Sequence, residues 1–304
     1  MAIPMRSTDF RSIVEPILNE EFDGVYDQRV DEWRGPFREV TGIPRSYHEE
    51  PVLYGFSAAP EVPDGSPLTY QAGGQLFIKR YQYRVWGLAF ALTQVLIEDG
   101  DHIRIGQTYS KHLAQSQIET KETLTANNLN RAFSGSYPGG DGVSLVATNH
   151  PIVNGTFSNQ LATAAALSQT SLEQMLIQIR QAVDNNGKKI RLQPRAITCS
   201  PANVFQAETI LKSALRTSTA NNDVNPVVTM GMLKEGQFNM SRLTSNTAWW
   251  VNTDAPEGLK VVMRRGLKKA MEGDFETNSM RYQSTERYAT GWTDPRTVFG
   301  TAGL

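Results

Sequence analysis

Four histidines, one cysteine and a short acidic cluster are the residues through which this chain could do chemistry, and their spacing argues against it. His48, His102, His112 and His150 stand apart from one another. None belongs to a His-Glu-x-x-His pair, which would set two imidazoles on one helix face around a zinc ion, so each reads as a surface or capping histidine. Cys199 ends a predicted strand over residues 195–199; a reactive thiolate needs an electropositive, partly exposed setting, and this one reads as a small core residue. Residues 98–101, Glu-Asp-Gly-Asp, lack the later ligands of a calcium loop and instead offer a carboxylate to the N-terminus of the helix that follows. The glycine-rich residues 134–142 contain no Gly-Lys-Ser/Thr and no dinucleotide fingerprint, and read as a surface turn. No Gly-x-Ser-x-Gly elbow occurs. Trp249 and Trp250, adjacent on a predicted strand, put one ring on each face, which suits packing better than stacking a ligand. The expectation is therefore no catalytic constellation, no metal site and no cofactor.

The composition narrows the classes further. The chain has 304 residues, 39% of them hydrophobic and 20% charged, and a formal net charge of −1. That balance fits a folded, soluble protein and argues against a dedicated nucleic-acid binder, which would carry a basic stripe. It leaves room for a protein that encloses nucleic acid without gripping it. A single cysteine rules out an intrachain disulfide framework and fits a reducing compartment. The opening residues, MAIPMRSTDF, lack the apolar core of a signal peptide, and the longest apolar run, residues 86–92, is too short to span a bilayer. A cytoplasmic site of synthesis with no membrane contact is expected.

The elements are organised around residues 101–133, which contain no proline and no glycine after Gly106. They predict one long helix, with a narrow apolar stripe at Ile105, Tyr109, Leu113, Ile118, Leu124, Leu129 and Phe133, interrupted by Glu119, Lys121 and Glu122. Ahead of it, residues 46–75 are rich in proline and glycine yet carry Tyr54, Phe56, Leu68 and Tyr70 without any period. A long irregular segment with that many aromatics points to apolar partners outside the chain. Residues 76–86 alternate as a half-buried strand, with Tyr81, Tyr83 and Val85 on one face, and residues 93–98 form a short helical approach. Residues 1–45 are cut by Pro16, Gly24, Gly35 and Pro36 into short pieces, with Trp33, Phe37 and Val40 available for docking. Later, Thr170 and Glu173 form a capping box before Leu172, Met175, Leu176, Ile179 and Val183, with Gly187 as the stop. A strand at residues 195–199 and a helix opened by Ser200 and Pro201 complete a helix–strand–helix unit. Further strands are expected at residues 227–230, 248–252, 259–264 and within 274–299, and an exposed loop at 217–225. No repeat or linker divides the chain, so interleaved subdomains are expected.

Several stretches, taken together and in order, resemble the major capsid proteins of tailed bacteriophages, including the Mu-like head-protein group, whose fold is shared with encapsulins. They are EFDGVYDQ (residues 21–28), EVPDGSPLTY (61–70), WGLAFALTQVLIEDG (86–100), TLTANNLNRAF (123–133), TNHPIVNGTFSNQL (148–161), ANNDVNPV (220–227), WWVNTDAPEGLK (249–260) and ERYATGWTDPRTVFG (286–300). The resemblance implies an α+β fold with an N-terminal arm (1–45), an extended E-loop (46–82), a peripheral P domain (83–159) holding a spine helix at 101–133, an axial A domain (160–250), and strands at 251–304 that return to the P domain. It implies inter-subunit contacts through Tyr54, Phe56, Leu68 and Tyr70, and a capsomer-axis loop containing Thr219, Asn221, Asn222 and Asp223. The function implied is a non-enzymatic shell protein, self-assembling into pentamers and hexamers of an icosahedral virion head around double-stranded DNA held non-specifically. Assembly in the host cytoplasm and work with a separate scaffold, a portal and decoration proteins go with it. Some members lock their shells through a lysine near the E-loop tip; here no lysine precedes Lys79, so a non-covalent shell is expected. An encapsulin-like compartment, or an enzyme with an unrecognised site in the α/β part, remains open at this point.

Overall fold

The computed structural model describes residues 7–28, 30–42, 44–93, 95–96, 99, 102–216, 223–274 and 279–303. Helix α1 (Ser7–Gln28) leads into a 3-10 turn (Glu32–Arg34) and strand β1 (Arg38–Thr41). Strands β2 (Tyr47–Tyr54) and β3 (Gly74–Gln82) form a long hairpin, followed by β4 (Arg84–Thr93) and the long helix α2 (His102–Asn130). After a short hairpin of β5 (His150–Ile152) and β6 (Gly155–Phe157) come α3 (Gln169–Arg180), β7 (Pro194–Cys199), α4 (Val204–Lys212), the single turn α5 (Pro226–Thr229) and β8 (Gly236–Asn239). Strands β9 (Trp249–Thr253), β10 (Lys260–Asp274), β11 (Ser279–Gly291) and β12 (Val298–Thr301) close the chain. Two four-stranded sheets result, in orders β1-β10-β11-β4 and β12-β9-β7-β8.

At 29 residues α2 extends about 43 Å. Its buried face is broader than the apolar stripe suggests, because Ser110, Gln117, Lys121, Glu122 and Thr125 are buried beside Leu113, Ile118 and Leu129. Lys121 and Glu122, expected to interrupt the stripe, belong to the interior. Against the other end of α2 lies α1, which is one helix where short pieces are expected. Val14, Leu18 and Phe22, spaced four residues apart, are buried with Leu113, Ala114, Met271 and Tyr282. Burying three such side chains contributes about 1.5–3 kcal/mol each, which outweighs the ~3 kcal/mol cost of an interior proline. Pro16 and Gly24 are exposed, so neither interrupts the packed face. Gly106 lets the helices meet closely; a Cβ there would lie 3.1 Å from the Leu18 side chain. Beyond α1, Trp33 and Phe37 are buried against Ala126 and Leu129, tying them to a separate core at the C-terminal half of α2.

The second sheet is covered on both faces. Trp249, Val251 and Phe299 pack on one side with Ile197 and the α3 residues Leu172, Met175, Leu176 and Ile179. Trp250 and Val298 point to the other side, into the core shared with Leu129, Leu145 and Trp33. One tryptophan per face is what strand alternation predicts.

Other expectations shift for physical reasons. The capping box of α3 is Ser168 with Ser171, two residues earlier than Thr170 and Glu173, and the helix ends at Arg180, while Gly187 (φ 82°) turns the chain afterwards. Ser200 and Pro201 open a 3-10 turn before α4, which buries Ala207 and Ile210. Residues 226–229 form a helical turn instead of a strand, because the Asn225 side chain accepts the Val227 N–H and Pro226 sits at the first helical position. The strand expected over 76–86 breaks at Tyr83. Tyr81 and Tyr83 are buried, but from Arg84 the chain leaves β2 and pairs with β11, so Val85 faces out. Thr93 ends β4, Val95 and Leu96 are helical, and the remainder of the expected approach lies outside the described residues.

Candidate functional site

The feature that stands away from both cores is the β2–β3 hairpin. Its strands pair antiparallel from Tyr47↔Gln82 to Tyr54↔Gly74. Residues 55–73 beyond them are exposed throughout. The excursion nevertheless has a defined shape. Gln71 Oε1 accepts from the Ser57 N–H at 2.9 Å and the Ser57 hydroxyl at 2.8 Å, which holds the two limbs together. At the far end, the Ser66 N–H donates to the Pro63 carbonyl at 3.1 Å across a turn in which Gly65 takes φ 76°. Pro60, Pro63 and Pro67 further limit the backbone.

Between the limbs lies an apolar groove of about 390 Å³, bordered by Phe56, Pro60, Val62, Leu68 and Tyr70. Phe56 is 58% exposed, Leu68 69% and Tyr70 94%. Tyr54 is half-buried, its ring lying over Gly74 in the hairpin itself. Three of the four residues expected to meet neighbours are thus open, and the fourth is partly occupied at home.

The hairpin's root is fixed by polar contacts of a kind the sequence did not reveal. Glu50 accepts from Lys260 Nζ at 2.6 Å and from the Thr293 hydroxyl at 2.5 Å, and His48 lies 3.0 Å away. Burial pushes the Glu50 carboxyl up, but the hydrogen bonds from Lys260, Thr293 and His48 outweigh it and hold it below its ordinary range. Tyr81 shares a 2.6 Å hydrogen bond with Thr293. Further along the same limb, Asn185 and Asn186 donate to the carbonyls of Leu53 (3.1 Å) and Gly55 (2.6 Å). Held at its root by Lys260 and Thr293 and again at Leu53 and Gly55, with residues 56–73 exposed, the hairpin projects as a lever.

Two further polar clusters hold the scaffold behind it. Lys121 Nζ lies 2.8 Å from Glu286 and donates to the Tyr26 hydroxyl at 2.9 Å, and that hydroxyl in turn donates to Glu286. This links α1, α2 and β11. Asn159 Nδ2 donates to the carbonyls of Leu145, Pro295 and Val298 at 2.7, 2.9 and 2.8 Å, and its Oδ1 accepts the Ala147 N–H at 2.9 Å. His150, expected at the surface, is buried with Nδ1 2.6 Å from Asp141 and Nε2 3.1 Å from Asn159. These clusters are structural, since they sit under the core rather than in a cleft. Their signal in α2 was the recurrence of Ser110, Ala114, Gln117, Lys121 and Thr125 at helical spacing beside the apolar stripe.

Cys199 is buried, and burial pushes its thiol up to about 11, so it is no nucleophile. Among the described residues no group of three or more potential ligands could hold a metal ion, and no helix is long and apolar enough to cross a membrane. Of the residues expected at a capsomer axis, Thr219, Asn221 and Asn222 lie outside the described residues. Asp223 is exposed, and its carbonyl accepts the Arg216 N–H at 2.7 Å, closing the base of that loop.

A hairpin lever, a long helix across one sheet and a second sheet buried on both faces are the parts of a shell-forming capsid fold, and solved structures share it. The virus-like particle from Pyrococcus furiosus superposes with a TM-score of 0.52 at 10% identity, over 94% of this chain and 98% of that one. The capsid of Cyanophage P-SCSP1u gives a TM-score of 0.53 at 13% identity, covering 88% and 86% of the two chains. The mature capsid of bacteriophage PhiM1 gives 0.55 at 11% identity, covering 90% and 87%. The fold is therefore the α+β fold of tailed-phage major capsid proteins. The chain itself belongs to the phage capsid protein family, whose model matches residues 79–300. It is a structural protein of a viral capsid shell. No curated protein matched it by sequence.

Proposed function

We propose that this chain is the major head protein of a tailed phage, whose copies form the pentamers and hexamers of an icosahedral shell around double-stranded DNA. The observation that carries this reading is the E-loop. A hairpin anchored at its root presents Phe56, Leu68 and Tyr70 to solvent around an apolar groove, in a chain that belongs to a capsid family. An apolar surface on a rigid projection is costly in a monomer and productive only when a neighbouring copy covers it.

On this reading residues 1–45 form the arm, 46–82 the E-loop and 83–159 the P domain. Residues 160–250 form the A domain, and 251–304 return to the P domain, except that β12 pairs with β9 in the second sheet. The loop closed by Arg216 and Asp223 faces the capsomer axis. The charge of −1 suits DNA held by confinement rather than by specific contacts. A scaffold, a portal and decoration proteins are the partners of such a shell, and the host cytoplasm is where it assembles. The virus-like particle that shares the fold over nearly its whole length favours a second reading, a cellular compartment enclosing a protein cargo. Electron microscopy of the purified protein, with nuclease treatment of any particles, tests both. Closed shells able to protect DNA support the phage head, shells filled only with protein support the compartment, and stable monomers at high concentration contradict both.

A further inference from the structure

The face of the first sheet turned away from α2 carries a group of cations that no acid answers. In β11, Tyr282, Ser284, Glu286 and Tyr288 are buried toward the helices, where Gln117 donates to the Ser284 carbonyl at 3.0 Å and Lys121 lies 2.8 Å from Glu286. Alternation puts Thr285 and Arg287 on the opposite face. There Arg287 stands directly across the ladder from Arg265, and Thr285 across from Lys268. Register shifts between Met263 and Arg265, and again between Arg265 and Lys268, mark bulges in β10. The first inserts Arg264 beside Arg265. The second lets Leu267 pack inward with the α1 core while Arg265 and Lys268 stay on one face.

This arrangement is unfavourable by itself. Like charges directly opposite in an antiparallel ladder have Cβ atoms about 4.5–5.5 Å apart and destabilise it. The neighbouring cations are matched, Lys269 to Asp23 at 2.5 Å, Lys260 to Glu50 at 2.6 Å, and Arg281 to Asp274. Arg264, Arg265, Lys268 and Arg287 make no ion pair among the described residues. Arg265 Nη2 donates at 2.9 Å to the Thr285 hydroxyl, a neutral acceptor. The Nε atoms of Arg264 and Arg287 are buried without a hydrogen-bond partner among the described residues, which is costly for a charged donor. There is room for an acceptor. Nothing lies within 4 Å of a Cβ built at Gly266, and β4 borders the group with Gly87 and the 61% exposed Val85, which face Thr285 and Arg287.

We propose that Arg264, Arg265, Lys268 and Arg287 form a binding site for phosphate groups. A planar carboxylate engages one guanidinium fork, whereas the oxygens of a tetrahedral phosphate point in several directions, so Arg265 and Arg287 reach it together. A bound phosphate turns their repulsion into a bridge across β10 and β11, at the point where the bulges interrupt the ladder. Its source is a free phosphate or polyphosphate ion, or successive phosphates of a nucleic-acid backbone. The site is a property of the single subunit, so it stands or falls apart from the shell reading.

Calorimetric titration of the unassembled full-length chain with tripolyphosphate tests the site in wild type, in Arg265→Gln with Arg287→Gln, and in Lys268→Gln. Wild type is expected to bind one tripolyphosphate per subunit, the double variant at least about tenfold more weakly, and Lys268→Gln about threefold more weakly. In chloride, Arg265→Gln and Arg287→Gln made singly are expected to melt no lower than wild type, because the repulsion is relieved. Tripolyphosphate is expected to raise the Tm of wild type and to leave that of the double variant nearly unchanged. No binding to wild type, wild-type affinity in the folded double variant, or a clear fall in Tm for both single variants overturns the proposal. If the double variant does not fold, wild-type affinity in Lys268→Gln overturns it. A short DNA duplex that displaces tripolyphosphate, with an affinity falling steeply as salt rises, supports the proposal and assigns the site to a nucleic-acid backbone. A duplex that leaves tripolyphosphate bound supports it and assigns the site to a free ion. Oligoglutamate that binds the same arginines as tightly as tripolyphosphate overturns the choice of phosphate.

Discussion

Glu122 offers the sharpest test of how the scaffold is held together. It is 1% exposed, on the face of α2 that meets the 3-10 turn, and accepts the Glu32 N–H at 2.8 Å. Burial pushes its carboxyl up; the backbone N–H groups of Glu32 and Trp33 pull it down, and the charges of Glu32 and Asp31 push it up again, leaving it at about 7 against an ordinary 4.5. Arg242 is the cation facing this group, but it is bound to Glu32 and Glu119. A carboxyl raised in the folded state favours folding when protonated. Its contribution is complete below about pH 4.5 and is lost as pH rises through about 7. At about 1.4 kcal/mol per pH unit, the loss amounts to ~3 kcal/mol. Glu122→Gln keeps the shape and the acceptor for the Glu32 N–H but removes the titration. In urea unfolding of the unassembled full-length chain between pH 4.5 and 8, variant minus wild type should rise by ~3 kcal/mol across the range. Taking the difference cancels the titrating groups that do not interact with Glu122 and any constant packing penalty. A difference that stays flat, or falls with pH, refutes the reasoning.

Phe56→Ser, Leu68→Ser and Tyr70→Ser combined should leave the subunit's melting temperature unchanged, since these side chains support no core, and should block particle formation in electron micrographs; normal particles count against the E-loop contact. Asn159→Leu should destabilise the fold by about 3 kcal/mol in urea unfolding, because the Ala147 N–H and three carbonyls lose a buried partner; a loss under about 1 kcal/mol contradicts that accounting. Thr219→Glu with Asn221→Glu should weaken hexamers, more so at low salt where like charges are least screened, and salt-independent wild-type assembly argues against an axial position. Particles boiled in denaturing detergent with reductant should give one band near 33.8 kDa, since Lys79, the first lysine in the chain, sits on β3 at the hairpin's root; a ladder of multimers contradicts a non-covalent shell.

What was legible in the sequence was local. The run without proline over residues 107–133 required a long helix, and the alternation at Trp249 and Trp250 required a strand with one ring on each face. The aperiodic, proline-rich and aromatic residues 55–73 could neither form a core element nor behave as a disordered linker, so a projecting segment followed. Periodicity and turn chemistry act between neighbours in sequence, which is why they survive without tertiary information.

What only the tertiary structure decided is which polar groups go inside. Lys121 and Glu122 look like breaks in a stripe until Tyr26 and Glu286, from opposite ends of the chain, and the backbone of Glu32 meet them. His150 looks like a surface residue until Asp141 and Asn159 surround it. The same holds for α1, where Pro16 predicts a break and burial against α2 overrides it. A buried charge costs several kcal/mol without its partner and little with it, so its position depends on residues that no local pattern can see.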